Sequence, residues 1–107
     1  MTKLIQIVPI PSVRLFGQMV KKEVELSRRN RGTFRRSAGK VRDRAKWSHS
    51  KYNGWIKLQR TEGEVVTVEV QSRSQTDDQW QLLHAFIGWV DRHFGDQVEA
   101  MHIHYRR

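Results

Sequence analysis

The sequence predicts an α+β domain. Two stretches have apolar residues recurring at spacings of three and four, as amphipathic helices require. One pair of alternating segments is joined by a short polar loop, and a further alternating segment stands near each end of the chain. At 107 residues the chain is expected to form one domain, residues 1–107. A domain of that size buries roughly 60–70% of its unfolded surface around one modest core.

Lys3 to Val8 is predicted as the first strand, ended by Pro9 and Pro11. Ser12 is placed to cap a helix. From there Val13, Phe16, Val20 and Val24 recur at helical spacing, and Leu15 and Met19 widen the stripe, so a helix is expected to about Leu26. Val24 and Leu26 also alternate, which leaves an extended conformation open for Lys22 to Arg28.

Residues Arg28 to Lys46 follow. They hold nine of the 20 Lys and Arg (Arg28, Arg29, Arg31, Arg35, Arg36, Lys40, Arg42, Arg44 and Lys46) and one acid, Asp43. This one segment accounts for +8 of the chain's net charge of +9. Within it Phe34, Ala38, Val41 and Ala45 fall at spacings of four, three and four, one narrow stripe of a helix that would start near Gly32 and Thr33. Trp47 would sit opposite that stripe, among the cations. Gly39 costs such a helix roughly 1 kcal/mol against Ala, and its like charges repel. It is expected to be firm only when docked or bound. A disordered basic loop is the competing expectation.

Tyr52-Asn53-Gly54 is a turn signal. Trp55 to Arg60 and Glu64 to Ser72 then make a β-hairpin, with Ile56 and Leu58 on one face of the first strand and Val66, Val68 and Val70 on one face of the second. The second helix has a capping box at Thr76 and Gln79, with Asp77 and Asp78 in its first turn. Its stripe is Trp80, Leu83, Ile87, Val90 and Phe94, broadened by Leu82 and Phe86. Gly95 is suited to terminate it. Val98 to Tyr105 alternates as a last strand, with Met101, Ile103 and Tyr105 on one face and His102 and His104 on the other.

With the basic segment set aside, the order is β-α-β-β-α-β, the ferredoxin-like arrangement, in which two helices cover one face of a four-stranded sheet. The expected fold is that sandwich with a basic helical or loop insertion after the first helix, residues 28–46. A different mixed sheet with the same element order is the competing architecture.

Several function classes fall away. The chain has no cysteine, hence no disulfide framework and no Cys-type zinc site. The opening MTKLIQIVPIP is too short and too broken by proline for a signal peptide. The longest apolar run elsewhere, Ala85 to Val90, is far short of the roughly 20 residues of a membrane span. A soluble, cytoplasmic protein is expected. There is no glycine-rich phosphate loop, nucleophile elbow, zinc-protease helix motif or EF-hand loop, and no cofactor is expected.

What remains is charge. Clustered Lys and Arg bind phosphate backbones through counterion release. Arginine outnumbers lysine seven to two in the segment, and guanidinium groups bind phosphate in bidentate fashion and stack on bases. Trp47 and Tyr52 follow closely and are expected to stack on unpaired bases. A small non-catalytic nucleic-acid-binding protein is therefore expected, with RNA or single strands favoured. Its contacts would be the nine cations above with Trp47 and Tyr52. The alternative is an interaction module, a homodimer, whose basic segment meets an acidic protein partner; a solvated basic face is the bland case. The apolar stripe is too thin for a membrane-surface helix.

Two smaller features complete the inventory. Trp55, Lys57, Gln59, Thr67 and Glu69 would share the sheet face away from the helices, an architecture like that of RNA-recognition sheets though without their aromatic motif. His102 and His104, two apart in a strand, could address one ligand, but a metal needs a third donor that the sequence does not indicate. With Tyr105, Arg106 and Arg107 they also have the chemistry of a metal-independent ribonuclease of toxin type. Composition alone supports that second alternative.

Overall fold

A computed structural model describes residues 2–37, 41–72 and 79–106. The chain folds as β1 (Thr2–Pro9), α1 (Leu15–Arg28), β2 (Phe34–Arg36), β3 (Arg44–His49), β4 (Trp55–Arg60), β5 (Val66–Gln71), α2 (Gln79–Phe94) and β6 (Val98–Arg106). All six strands form one antiparallel sheet in the order β2-β3-β4-β5-β1-β6. The class is α+β, but the sheet has six strands where four were expected.

The two additional strands come from the basic segment. Its described residues from Phe34 on form strands where a helix or a free loop was expected: Phe34–Arg36 and Arg44–His49 pair in antiparallel register, Phe34 opposite His49 and Arg36 opposite Trp47, while residues 38–40 lie outside the described residues. The reason is a period of two. Phe34, Ala45 and Trp47 are buried, while Arg35, Arg44 and Lys46 alternate with them. The supposed helical stripe dissolves accordingly: Phe34 and Ala45 are buried, Val41 is 67% exposed, and Ala38 lies outside the described residues. The hairpin closes through Arg42 and Asp43, with Val41 and Arg44 exchanging backbone hydrogen bonds of 3.2 and 2.6 Å.

One face of the sheet carries the core. Ile5 and Ile7 of β1, Ile56 and Leu58 of β4, and Val66, Val68 and Val70 of β5 are buried there, as alternation requires. Against the hairpin's end of that face stands an aromatic cluster. Trp47 meets Trp89 at 5.2 Å, and Phe34 meets Phe86 at 5.8 Å in an edge-to-face contact. This shifts the buried face of α2 from the expected one. Leu82, Leu83, Phe86, Trp89, Val90 and Phe94 are buried, whereas Trp80 is exposed and Ile87 half-buried. Thr76, Asp77 and Asp78 lie outside the described residues.

Helix α1 starts at Leu15 after Arg14, without a side-chain cap, so Ser12 does not cap it. Leu15, Phe16 and Met19 are its buried apolar residues, and Lys22 to Arg28 is helical, not extended. It ends in a Schellman motif: the Asn30 amide donates to the Ser27 carbonyl (3.1 Å) and the Arg31 amide to the Leu26 carbonyl (3.0 Å). Asn30 supplies the left-handed residue, φ 58°. The turn before β4 depends on Gly54. Its φ is +108°, and a Cβ there would lie 2.2 Å from the Gln71 carbonyl oxygen. Among the described residues no helix is long and apolar enough to cross a membrane.

Candidate functional site

The face of the sheet away from the core brings together cations that the sequence separates. Residues of opposite parity to Ala45, Trp47, Ile56 and Leu58 point there: Arg44 and Lys46 from β3, and Trp55, Lys57 and Gln59 from β4. The register sets Lys46 directly opposite Lys57 and Arg44 directly opposite Gln59. Like charges opposed across an antiparallel pair repel. None of Arg44, Lys46 and Lys57 has an ion-pair partner among the described residues. The Lys46 ammonium lies 4.9 Å from the centroid of the Trp55 ring, a cation–π contact. A shallow concavity of about 480 Å³ covers this region, with Val41, Arg44, Lys46, Lys57, Thr67 and Glu69 on its walls. Glu69 faces Lys57 across the β4–β5 pair and accepts a hydrogen bond from the Gln71 side-chain amide.

The other expected contacts are scattered. Arg28 and Arg29 are exposed at the end of α1, Arg29 in a 3.6 Å pair with Glu25. Arg31 is exposed just beyond. Arg35 lies on β2 and donates to the Asn30 side chain at 3.3 Å. Arg36 and Arg42 are exposed, and Lys40 lies outside the described residues. Asp43, the segment's one acid, is paired with Arg60. Trp47 is at 0% exposure within the aromatic cluster, so it offers no surface to a base. Its expected stacking role is corrected to a core role. Tyr52 is half-buried and stacked on His49, ring centroids 4.7 Å apart.

His102 and His104 are exposed on the cation-bearing face, opposite Gln6 and Leu4. Four strand spacings, roughly 19 Å, separate β6 from β3, so this pair and Lys46 do not meet one phosphate. Leu4 also stands between His104 and Glu69 in the sheet. Among the described residues no group of three His, Cys, Asp or Glu could hold a metal ion.

Sequence reasoning overlooked a second group. His49, Tyr52, Arg31, Arg92 and His93, far apart in sequence, line one cleft between the end of α1, the β2–β3 hairpin and α2. No spacing rule announces it, because it forms only once Phe34 and Trp89 pack together, 6.2 Å apart. No family model, no curated protein and no solved structure matches the chain.

Proposed function

We propose that this protein binds single-stranded nucleic acid, RNA in preference, on the open face of its sheet, without catalysing a reaction on it. The observation that carries the proposal is the opposed pair Lys46 and Lys57 beside Trp55. Two ammonium groups opposed across the strand pair, neither in an ion pair among the described residues, repel each other, and a phosphate between them relieves the repulsion and releases counterions. Arg44 extends the cationic row by one pleat. A phosphate that draws Lys46 off the indole uncovers Trp55 for a base, which couples phosphate contact to stacking. A half-buried aromatic flanked by cations on an open antiparallel sheet is the arrangement by which RNA-recognition sheets hold splayed bases. On this view the four strands β4-β5-β1-β6 with the two helices are a ferredoxin-like core, widened by hairpin β2–β3, and the protein works in the cytoplasm.

The test is fluorescence anisotropy with labelled single-stranded RNA and duplex DNA at several salt concentrations. Binding should weaken with a log–log slope of about −0.7 per phosphate contacted, and a Lys46→Glu, Lys57→Glu double variant should bind at least tenfold more weakly with its fold unchanged by circular dichroism. Equal affinity of that folded variant would sink the proposal.

One feature favours a self-associating interaction protein as the alternative. Strand β6, nine residues long, ends the sheet, and it exposes Ile103 (38%) and Tyr105 (54%). A long, uncovered edge strand with exposed apolar side chains invites pairing with another strand, and a second copy supplies an antiparallel one by two-fold symmetry. Sedimentation as a monomer at high micromolar concentration would dismiss it.

A further inference from the structure

On the helix side of the sheet, a cleft of about 480 Å³ lies between the end of α1, the β2–β3 hairpin and α2. We propose that it is a binding site for the phosphate monoester of a nucleotide, free or at the end of a strand. The proposal does not rest on the sheet-face reading, since the cleft lies on the opposite face with none of the residues Arg44, Lys46 and Lys57.

The walls supply positive charge and hydrogen-bond donors. Arg31 and Arg92 line the cleft from opposite elements, and neither has an ion-pair partner among the described residues. No carboxylate is among the lining residues. A monoester carries nearly two negative charges near neutrality, and guanidinium groups bind it in bidentate fashion. Arg31 is held in place by the Schellman motif, its own amide being the one that closes the turn on Leu26. The Arg31 backbone is thus fixed, while its guanidinium has no ion-pair partner among the described residues.

The histidine on the hairpin is fixed as a donor. His49 Nδ1 accepts the backbone N–H groups of Lys51 at 2.9 Å and Tyr52 at 3.3 Å. With that lone pair engaged, the neutral ring carries its hydrogen on Nε2. Burial and the Lys51 charge lower the His49 pKa, which favours the neutral ring, and the two amides on Nδ1 select its tautomer. The Thr33 hydroxyl adds a further group able to donate.

The size and the aromatic content point to a nucleotide over bare phosphate. The volume falls within the range of small-ligand pockets, roughly 300–1,000 Å³. Tyr52 and His49 are stacked with an interplanar angle of 23°, and Trp89 forms part of the apolar lining. Such a rigid aromatic pair is a platform for a base.

Binding of adenosine 5′-monophosphate, adenosine and inorganic phosphate, read by tryptophan fluorescence and by the His49 and His93 ring resonances, tests this. The monophosphate should bind at least tenfold more tightly than adenosine and shift both histidines. Arg31→Gln with Arg92→Gln should abolish that preference, Tyr52→Ala should weaken the monophosphate but not inorganic phosphate, and Lys46→Glu with Lys57→Glu should change neither. Adenosine binding as tightly as its monophosphate, or full affinity in the folded Arg31, Arg92 variant, would overturn the proposal. A 5′-phosphorylated oligonucleotide compared with its 5′-hydroxyl form separates the sources. A gain from the phosphate assigns the cleft to strand ends, and no gain, with the monophosphate still bound, assigns it to free nucleotides.

Discussion

His49 and His93 show how a single side chain here links packing to charge. Burial lowers the pKa of both below the ordinary 6.5, helped by Lys51 at His49 and by Lys22 and Arg92 at His93. His49 lies edge-on to Phe34 at 4.9 Å, and His93 is 5.1 Å from Trp89, so each ring touches the aromatic core on one side. The unfolded chain, with histidines near 6.5, takes up more protons than the folded one on acidification. The contribution of these residues to stability is thus complete above about pH 6.5 and is lost as pH falls through the lower folded values. Urea melts from pH 7.5 to 5 should show stability falling with pH, and His49→Phe with His93→Phe should flatten that part of the profile. NMR titration should place both rings below the ordinary 6.5; titration of both at or above that value would remove the argument.

At the scale of the element, β4, β5, α1, β1 and β6 were legible within a residue or three because one periodicity dominates each. Val66, Val68 and Val70 alternate with no competing helical stripe, and all three are at 0% exposure. The basic segment was not legible because two periods overlap in it. Phe34, Ala38, Val41 and Ala45 satisfy a helix, while Ala45 and Trp47 with Phe34 satisfy two strands. Only contact with α2 decides between them, and that contact is long-range. Burying Trp47 against Trp89 and Phe86 contributes what a helix with Ala38 and Val41 on its stripe could not match, since aromatic side chains bury about 150–250 Å² each. The same omission hid the rotation of α2 toward Phe86 and Trp89, and with it the cleft at His49 and His93. The open sheet face was better foreseen. Trp55, Lys57, Gln59, Thr67 and Glu69 were placed together by alternation alone, but their meeting with Arg44 and Lys46 depends on β3 being a strand.

At the scale of the whole molecule two cationic surfaces, without ion pairs at Arg44, Lys46, Lys57, Arg31 and Arg92 among the described residues, lie on opposite faces of the sheet and meet at one edge. Strand β2 is that edge, and its Arg35 and Arg36 stand between the Lys46–Lys57 row and the Arg31–Arg92 cleft. From β4 to β2 is two strand spacings, roughly 10 Å, the span that a nucleic-acid strand bound as proposed on the open face would cross before turning at the β2 edge into the cleft. A continuous path makes a specific demand on salt dependence, which two independent sites would not. For a single strand of about ten nucleotides, a length that sheet platforms accommodate, Arg35→Gln with Arg36→Gln should reduce the steepness of the salt slope by about 1.4, two contacts at about 0.7 each. The same variant should leave adenosine 5′-monophosphate binding intact, because neither arginine lines the cleft. Anisotropy measured across a tenfold range of salt gives both slopes directly. If the ten-nucleotide slope stays the same in the variant, the two surfaces act separately, and the β2 edge carries no strand between them.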